Sequence, residues 1–300
     1  MSWAIWITGP PGSGKSGVAR AVAAELLAHD AIVVVLELDV IRKTLTPTPT
    51  YSDTERDIVD RTLVYMASLL TESGVPVLID APVENAASAA RSILPVALGL
   101  ARAAGRRRGA AASWAMWITG LPGSGKTTLA ASVAQRLMAS GVPVSLLDVA
   151  ELRRFVVPAG FAGAPAEEVV HRALVCAAKA LTDAGVPVII DATAPRRRWR
   201  QMARDLIAHY AEVQLVCPFE ICNERERAVR WNLSFYAHGA RPKTLASDGP
   251  DIVLDYELSL DPDLTVHTNV RDVSSAAEEI LQLAHRLHRA ATGSTASGAR

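Results

Sequence analysis

"WAMWITGLPGSGKT", residues 114–127, decides the fold. A short apolar run ends at Gly120; Gly125, Lys126 and Thr127 complete the pattern GxxxxGK[ST], and a helix-like apolar periodicity follows. Each residue type has a chemical reason to be there. Glycines let the backbone wrap a phosphate, successive N–H groups and the helix N-terminus supply positive potential, the lysine reaches the outer phosphates, and the hydroxyl suits Mg²⁺. With glycine at about 7% of average usage, a chance match at one position is on the order of 10⁻⁴. Gly120, Gly123, Ser124, Gly125, Lys126 and Thr127 are therefore expected to hold a nucleoside triphosphate, with Mg²⁺ at Thr127.

The stretch occurs twice. "WAIWITGPPGSGKS", residues 3–16, supplies Gly9, Gly12, Ser13, Gly14, Lys15 and Ser16 as an equivalent set. Lys15 and Lys126 are 111 positions apart; so are Gly74 and Gly185, and Asp80 and Asp191. A constant offset means duplication without net insertion, and two copies are too few for a solenoid. Tandem domains follow: a truncated first copy over 1–105, a small basic linker over 106–113, a complete second copy over 114–290, and a polar tail over 291–300. The first copy ends in the helix-like "ENAASAARSILPVALGLARAAG"; the second continues through "AEVQLVCP", a charged lid segment, "LTVHTN" and a final helix.

Short apolar runs ending at Gly or Asp read as buried parallel strands: "WAIWIT", "IVVVLELD" and "VPVLIDA" in the first copy, "WAMWIT", "VPVSLLD" and "VPVIIDA" in the second. Between them, "APAEEVVHRALVCAAKALTDAG" places Val169, Val170, Ala173, Leu174, Ala177 and Leu181 on one helical face. Alternating strands and helices predict an α/β fold of the P-loop NTPase kind, a parallel sheet with helices on both faces. Without a fourth strand the first copy would leave the edge of "WAIWIT" bare.

Composition narrows the class. In 300 residues, 50% hydrophobic and 21% charged, the formal net charge is 0, so the overall electrostatic footprint of a nucleic-acid binder is missing. The start "MSWAIWITG" lacks a basic leader, and no uncharged apolar run reaches the roughly 18 residues of a membrane span, which is expected of a cytoplasmic protein away from membranes. Cys176, Cys217 and Cys222 show no metal-ligand spacing and are expected as buried thiols.

Further segments resemble the adenylylsulfate (APS) kinases, P-loop enzymes that use MgATP to phosphorylate the 3′-hydroxyl of adenosine 5′-phosphosulfate. The resemblance rests on "WITGLPGSGKTTLA", on "LELDVIRKTL" and "LLDVAELRRF" where the family has an LDGDxLR-like turn, on "YSDTER" where it has FSxxDR, and on "AEVQLVCPFEICNERE" leading toward its lid. It implies a small-molecule nucleotide substrate, and it leaves a homodimer open. Asp39 and Arg42 match the turn in the first copy, with Glu37 replacing its first Asp; Asp148 and Arg153 match in the second, with Ala150 replacing its second Asp. Ser52 and Arg56 match the substrate-side motif, where Val59 replaces an Asn; the second copy has Ala162, Ala166 and Val169 there, and Arg61 and Arg172 match a further family arginine.

The resemblance thus implies Arg42, Ser52, Arg56, Arg61, Arg153 and Arg172 as substrate-binding, and Arg225 and Arg227 as lid arginines meeting the transferring phosphoryl. Asp39 and Asp148 are candidates for the base, with Lys15 and Lys126 acting on the phosphates. Asp80 and Asp191 close apolar strands as Mg²⁺-side acids, beside Ser16 and Thr127. Two other readings stay open: a kinase for another hydroxyl or a polynucleotide end, suggested by "VIIDATAPRRRWR", and a non-catalytic nucleotide-binding regulator, suggested by Ala150.

Overall fold

A computed structural model of the chain describes residues 2–10, 12–29, 31–80, 113–238 and 256–293, with only the backbone at 229–238. The expected helix over 84–105, nearly all of the linker, most of the lid segment and the last seven residues lie outside them.

In the first repeat, β1 (Ala4–Ile7), α1 (Lys15–Ala28), β2 (Val34–Glu37), α2 (Leu38–Leu45), α3 (Asp53–Glu72) and β3 (Val77–Asp80) follow in order. The second repeat has β4 (Trp114–Thr119), α4 (Lys126–Ala139), β5 (Ser145–Asp148), α5 (Val149–Val156), α6 (Ala164–Asp183) and β6 (Val188–Asp191). From α1 to β3, every boundary recurs at the same offset of 111. Only the second repeat continues among the described residues, through α7 (Arg197–Leu206), β7 (His209–Val216), α8 (Phe219–His238), β8 (Leu264–His267) and α9 (Val273–Gly293). One expected boundary moves: β2 ends at Glu37, and Leu38 and Asp39 open α2 instead of finishing the strand. Leu38, Ile41 and Leu45 have helical spacing and are buried, which decides the period of that segment. The tail begins later than expected, because α9 runs to Gly293.

The strands form two parallel sheets, β1-β3-β2 and β5-β6-β4-β7-β8. Among the described residues, compact packing cuts across the repeats: one unit comprises Met1–Ser113 and Val149–Pro187, the other Trp114–Asp148 and Val188–Gly293. In the first unit, Trp3, Ile7 and Leu78 of the sheet pack with Ala19, Val22 and Leu26 of α1. The helices α2, α3, α5 and α6 also pack together there. In the second unit, Trp114, Met116 and Ile118 meet Leu129, Val133 and Leu137 of α4 and Ala277, Ile280 and Ala284 of α9. No helix among the described residues is long and apolar enough to cross a membrane.

The two first strands show what the extra segment does. In the second unit β4 is flanked by β6 and β7 and buried along its whole length. The Trp117 indole donates to the Ala192 carbonyl at 2.9 Å, and Trp114 reaches His288 of α9 at 3.3 Å. In the first unit Trp6 is 43% exposed and, among the described residues, β1 pairs only with β3 and the buried Trp3 indole N–H finds no acceptor. A large-to-small change in a packed core costs about 3–5 kcal/mol, and an exposed ring forfeits far less. Trp117→Ala is therefore expected to lower unfolding free energy by several kcal/mol and Trp6→Ala by under about 1 kcal/mol, as read by denaturant titration.

Candidate active site

Both loops run from a strand end into a helix whose N-cap glycine is left-handed: Gly14 at φ 83° before α1, Gly125 at φ 97° before α4. In each, the lysine folds back over its loop, Lys15 Nζ donating to the Pro10 carbonyl at 3.0 Å and Lys126 Nζ to the Leu121 carbonyl at 2.9 Å. Among the described residues, the buried serine hydroxyls Ser13 Oγ and Ser124 Oγ have no hydrogen-bond partner, an unusual state that an anion in the loop would relieve. The donor set fits a polyphosphate.

Their surroundings differ. A Cβ on Gly123, itself at φ 78°, would stand 2.2 Å from the Cys222 carbonyl oxygen of α8; one on Gly120 would stand 2.8 Å from the Leu215 carbonyl of β7. Thr268, just beyond β8, donates its hydroxyl to the Ser124 carbonyl at 2.8 Å. The second loop is therefore braced by β7, α8 and the end of β8. Among the described residues, no atom lies within 4 Å of a Cβ placed on Gly12, the counterpart of Gly123. Lys126 sits deep enough that burial lowers its ammonium pKa, against the attraction of Asp191, Glu226 and Cys222, whereas the Lys15 hydrogen bond lies at the surface.

The carboxylates stand at strand ends. β5 and β6 pair Asp148 opposite Asp191, as β2 and β3 pair Glu37 opposite Asp80. Burial raises the Asp191 pKa, opposed by a hydrogen bond from Thr127 and the Lys126 charge, while Asp148 adds to the rise. In the first repeat Ser16 Oγ donates to Asp80 at 2.5 Å, the matching hydroxyl–carboxylate pair. Glu37, however, is tied by Arg20 at 2.9 and 2.5 Å, and this hydrogen-bonded pairing holds its carboxyl below the ordinary range. The position equivalent to Arg20 is Ala131 in the second repeat. One hydroxyl and one carboxylate per loop, Thr127 with Asp191 and Ser16 with Asp80, are the donor types Mg²⁺ takes beside phosphate oxygens.

The remaining expected site residues fall in several places. Asp39 opens α2 with its side chain 83% exposed, 3.9 Å from Arg42. Arg42 also lies over the Tyr51 ring at 5.5 Å. Ser52 caps α3, its hydroxyl accepting from Glu55 N at 3.3 Å, while the Glu55 carboxylate takes Thr50 and Tyr51 N–H groups; S-x-x-E is the capping-box pattern. Arg56 pairs with Asp53 at the surface, and Arg153 with Glu167 at 2.6 Å. Arg61 and Arg172 grip Asp57 and Glu168 on their own helices, then reach carbonyls of α5 and α2. Arg225 donates to the Thr268 carbonyl at 3.0 Å and toward Cys217 Sγ at 3.6 Å, reinforcing the brace on Ser124. Arg227 is on the exposed side of α8. The basic run after β6 is neutralised: Arg196 and Arg197 meet Glu257, the buried Arg200 meets Glu212, and Arg204 meets Asp263. Sequence reasoning missed Cys222, Glu226 and Thr268, whose only signal was their place in the segment that the first repeat lacks.

The profile of the family described as "Adenylylsulphate kinase" matches residues 1–101 and 112–267. The chain belongs to the adenylylsulfate kinase family. It is 41% identical over 112 residues to the adenylyl-sulfate kinase of Synechococcus sp. (strain JA-3-3Ab), covering 37% of this chain and 63% of that protein, so it spans just under two thirds of that relative. It is 31% identical over 172 residues to the probable adenylyl-sulfate kinase of Pyrococcus abyssi, covering 57% of this chain and 95% of that one. Among solved structures, the Mycobacterium tuberculosis APS kinase CysC in complex with AMPPNP and APS superposes with a TM-score of 0.47 at 28% identity, covering 58% of this chain and 98% of that chain.

The brace makes a prediction. Gly12→Ala meets only the backbone strain of φ 78°, about 1 kcal/mol, whereas Gly123→Ala must also displace the Cys222 carbonyl. Thermal unfolding should show the larger loss for Gly123→Ala, and nucleotide titration should show it failing to bind.

Proposed function

We propose that the second repeat is the catalytic half of the chain and transfers the γ-phosphate of ATP to the 3′-hydroxyl of adenosine 5′-phosphosulfate. The observation that carries this reading is the braced loop, which sets Lys126 near the Asp148–Asp191 pair while the first repeat's loop lies open and its Glu37 is held by Arg20. Family membership and the names of the relatives support the acceptor.

In this reading the main-chain N–H groups of Gly123 to Lys126 and the Lys126 ammonium bind and orient the polyphosphate. Thr127 and Asp191 would hold Mg²⁺, which would supply charge neutralisation on the phosphates. Asp148 Oδ accepts the proton of the acceptor hydroxyl as its oxygen bonds to the γ-phosphorus and the bond from that phosphorus to the β,γ-bridging oxygen breaks, releasing ADP. Arg225 acts through Thr268 by keeping the loop in shape. The first repeat, with its own loop, Ser16–Asp80 pair and exposed Asp39, serves as a nucleotide-capable half.

Lysine–phosphate bonds are charge-assisted and contribute about 1.5–3 kcal/mol each, so Lys126→Ala should weaken MgATP binding about 10- to 100-fold and abolish ADP release stimulated by adenosine 5′-phosphosulfate. Lys15→Ala should leave that release largely intact. The reverse pattern would move the catalytic centre to the first repeat; stimulation only by another hydroxyl compound would remove the proposed acceptor.

Acidity supplies a second check. Because burial raises Asp191 and the cation site needs its carboxylate, acidification should switch it off before an ordinary aspartate, near 3.9, would protonate. The acid limb of kcat/KM should accordingly lie above that value and move downward when magnesium is raised.

A further inference from the structure

Arg61 Nη1 donates to the Phe155 carbonyl at 3.4 Å, and Arg172 Nη1 donates to the Thr44 carbonyl at 3.1 Å. Both the two arginines and the two acceptors differ by 111 positions. So do Asp57 and Glu168, the carboxylates that orient them at 2.9 and 2.7 Å. A contact from i to j accompanied by its mirror from j to i is the signature of a two-fold, isologous interface.

The helix packing repeats the rule. α3 packs against α5, α2 packs against α6, and the equivalent long helices α3 and α6 pack against each other. Equivalent residues can face one space only close to the axis that relates them, and a cavity of about 460 Å³ is lined by three such pairs: Thr50 with Phe161, Thr54 with Pro165, and Ile58 with Val169. Burial agrees. A helix covering one sheet face hides a single stripe, but every residue from Ala173 to Ala178 in α6 is buried, as are Ile58, Val59, Thr62, Leu63, Tyr65 and Met66 in α3.

We infer that α2–α3 and α5–α6 form an internal isologous interface, in which each repeat presents the same self-complementary face and supplies the other's partner within one chain. Arg61 and Arg172 are its clamps, a role the resemblance to substrate-binding arginines did not foresee. The sequence has diverged around the axis while the clamps persist: Tyr65 meets Phe155 in a tilted ring contact with centroids 5.4 Å apart, where the equivalent pair is Cys176 and Thr44. A face occupied in this way is not available to a second copy of the chain.

Cross-linking of the full chain tests this without relying on activity. Arg61→Cys with Phe155→Cys forms one pair and Arg172→Cys with Thr44→Cys its equivalent, each treated with a short flexible bismaleimide and mapped by peptide mass spectrometry. Arg61 and Phe155 are more than two-fifths exposed, so the first pair puts little core at risk, and the second pair supplies an independent measurement. The expected result is a bridge within one chain for both pairs, at single-chain mass, lost when denaturant is added before the reagent. Bridges only between chains would replace the internal interface with an intermolecular one. Bridging of one folded pair and not the other would remove the two-fold relation, and absence of bridges in both would remove the interface.

Discussion

The second loop can cradle an anion because something stands behind it. A carbonyl oxygen of α8 lies 2.2 Å from the point a Cβ on Gly123 would occupy, and Thr268 holds the Ser124 carbonyl from the far strand. A phosphate loop is a set of N–H groups pointing at one place, and they keep that direction only if the backbone is prevented from relaxing. The brace comes from β7, α8 and β8, so the segment that adds two strands also stiffens the site. Among the described residues, the single neighbour of β1 and the unbraced first loop both follow from the lack of an equivalent segment in the first repeat.

Residues that differ between the repeats follow this difference in support. Trp117, inside a sheet, has its N–H satisfied; Trp6, at an edge, faces solvent. At the strand end, an Arg20–Glu37 ion pair occupies the first repeat where Ala131 and Asp148 occupy the second. An acid already hydrogen-bonded to a guanidinium is a poor proton acceptor, since its basicity has been spent on that partner. Both loops keep the GxxxxGK[ST] pattern, and the first repeat adds an arginine that holds the acid at its strand end.

Local patterns were readable from the sequence, and contacts made at a distance were not. The offset of 111, the two loops and the strand-helix alternation all recur in the structure because each is set by neighbours in the chain. Asp39 illustrates a local conflict: "IVVVLELD" looks like one strand, yet Leu38, Ile41 and Leu45 bury a helical face and pull Asp39 into α2. Ser52 and Glu55 carried a capping-box signal that the substrate motif overshadowed. Arg61, Arg172 and Arg225 have carbonyl acceptors 94, 128 and 43 residues away, and main-chain carbonyls leave no mark on sequence pattern. The arginines after β6 are similar: their partners Glu212, Glu257 and Asp263 are remote in the chain, so a run that looked like an anion site became a neutralised network.

Depth, more than motif, separates the two loops. The same pair of unit charges about 4 Å apart attracts about fourfold more strongly at an effective dielectric constant of 20 than in bulk water. Lys15 and Lys126 make the same hydrogen bond to equivalent carbonyls, so their geometry is matched and their surroundings are not. Burial already destabilises the Lys126 ammonium, against the partial compensation of Asp191 and Glu226. A polyphosphate beside Lys126 would add counter-charge to an ammonium that burial disfavours, so more of that penalty would be relieved on binding. At the first loop water already solvates the lysine, leaving less for a phosphate to relieve. One motif can therefore yield two affinities within a single chain, set by the strands and helices behind it.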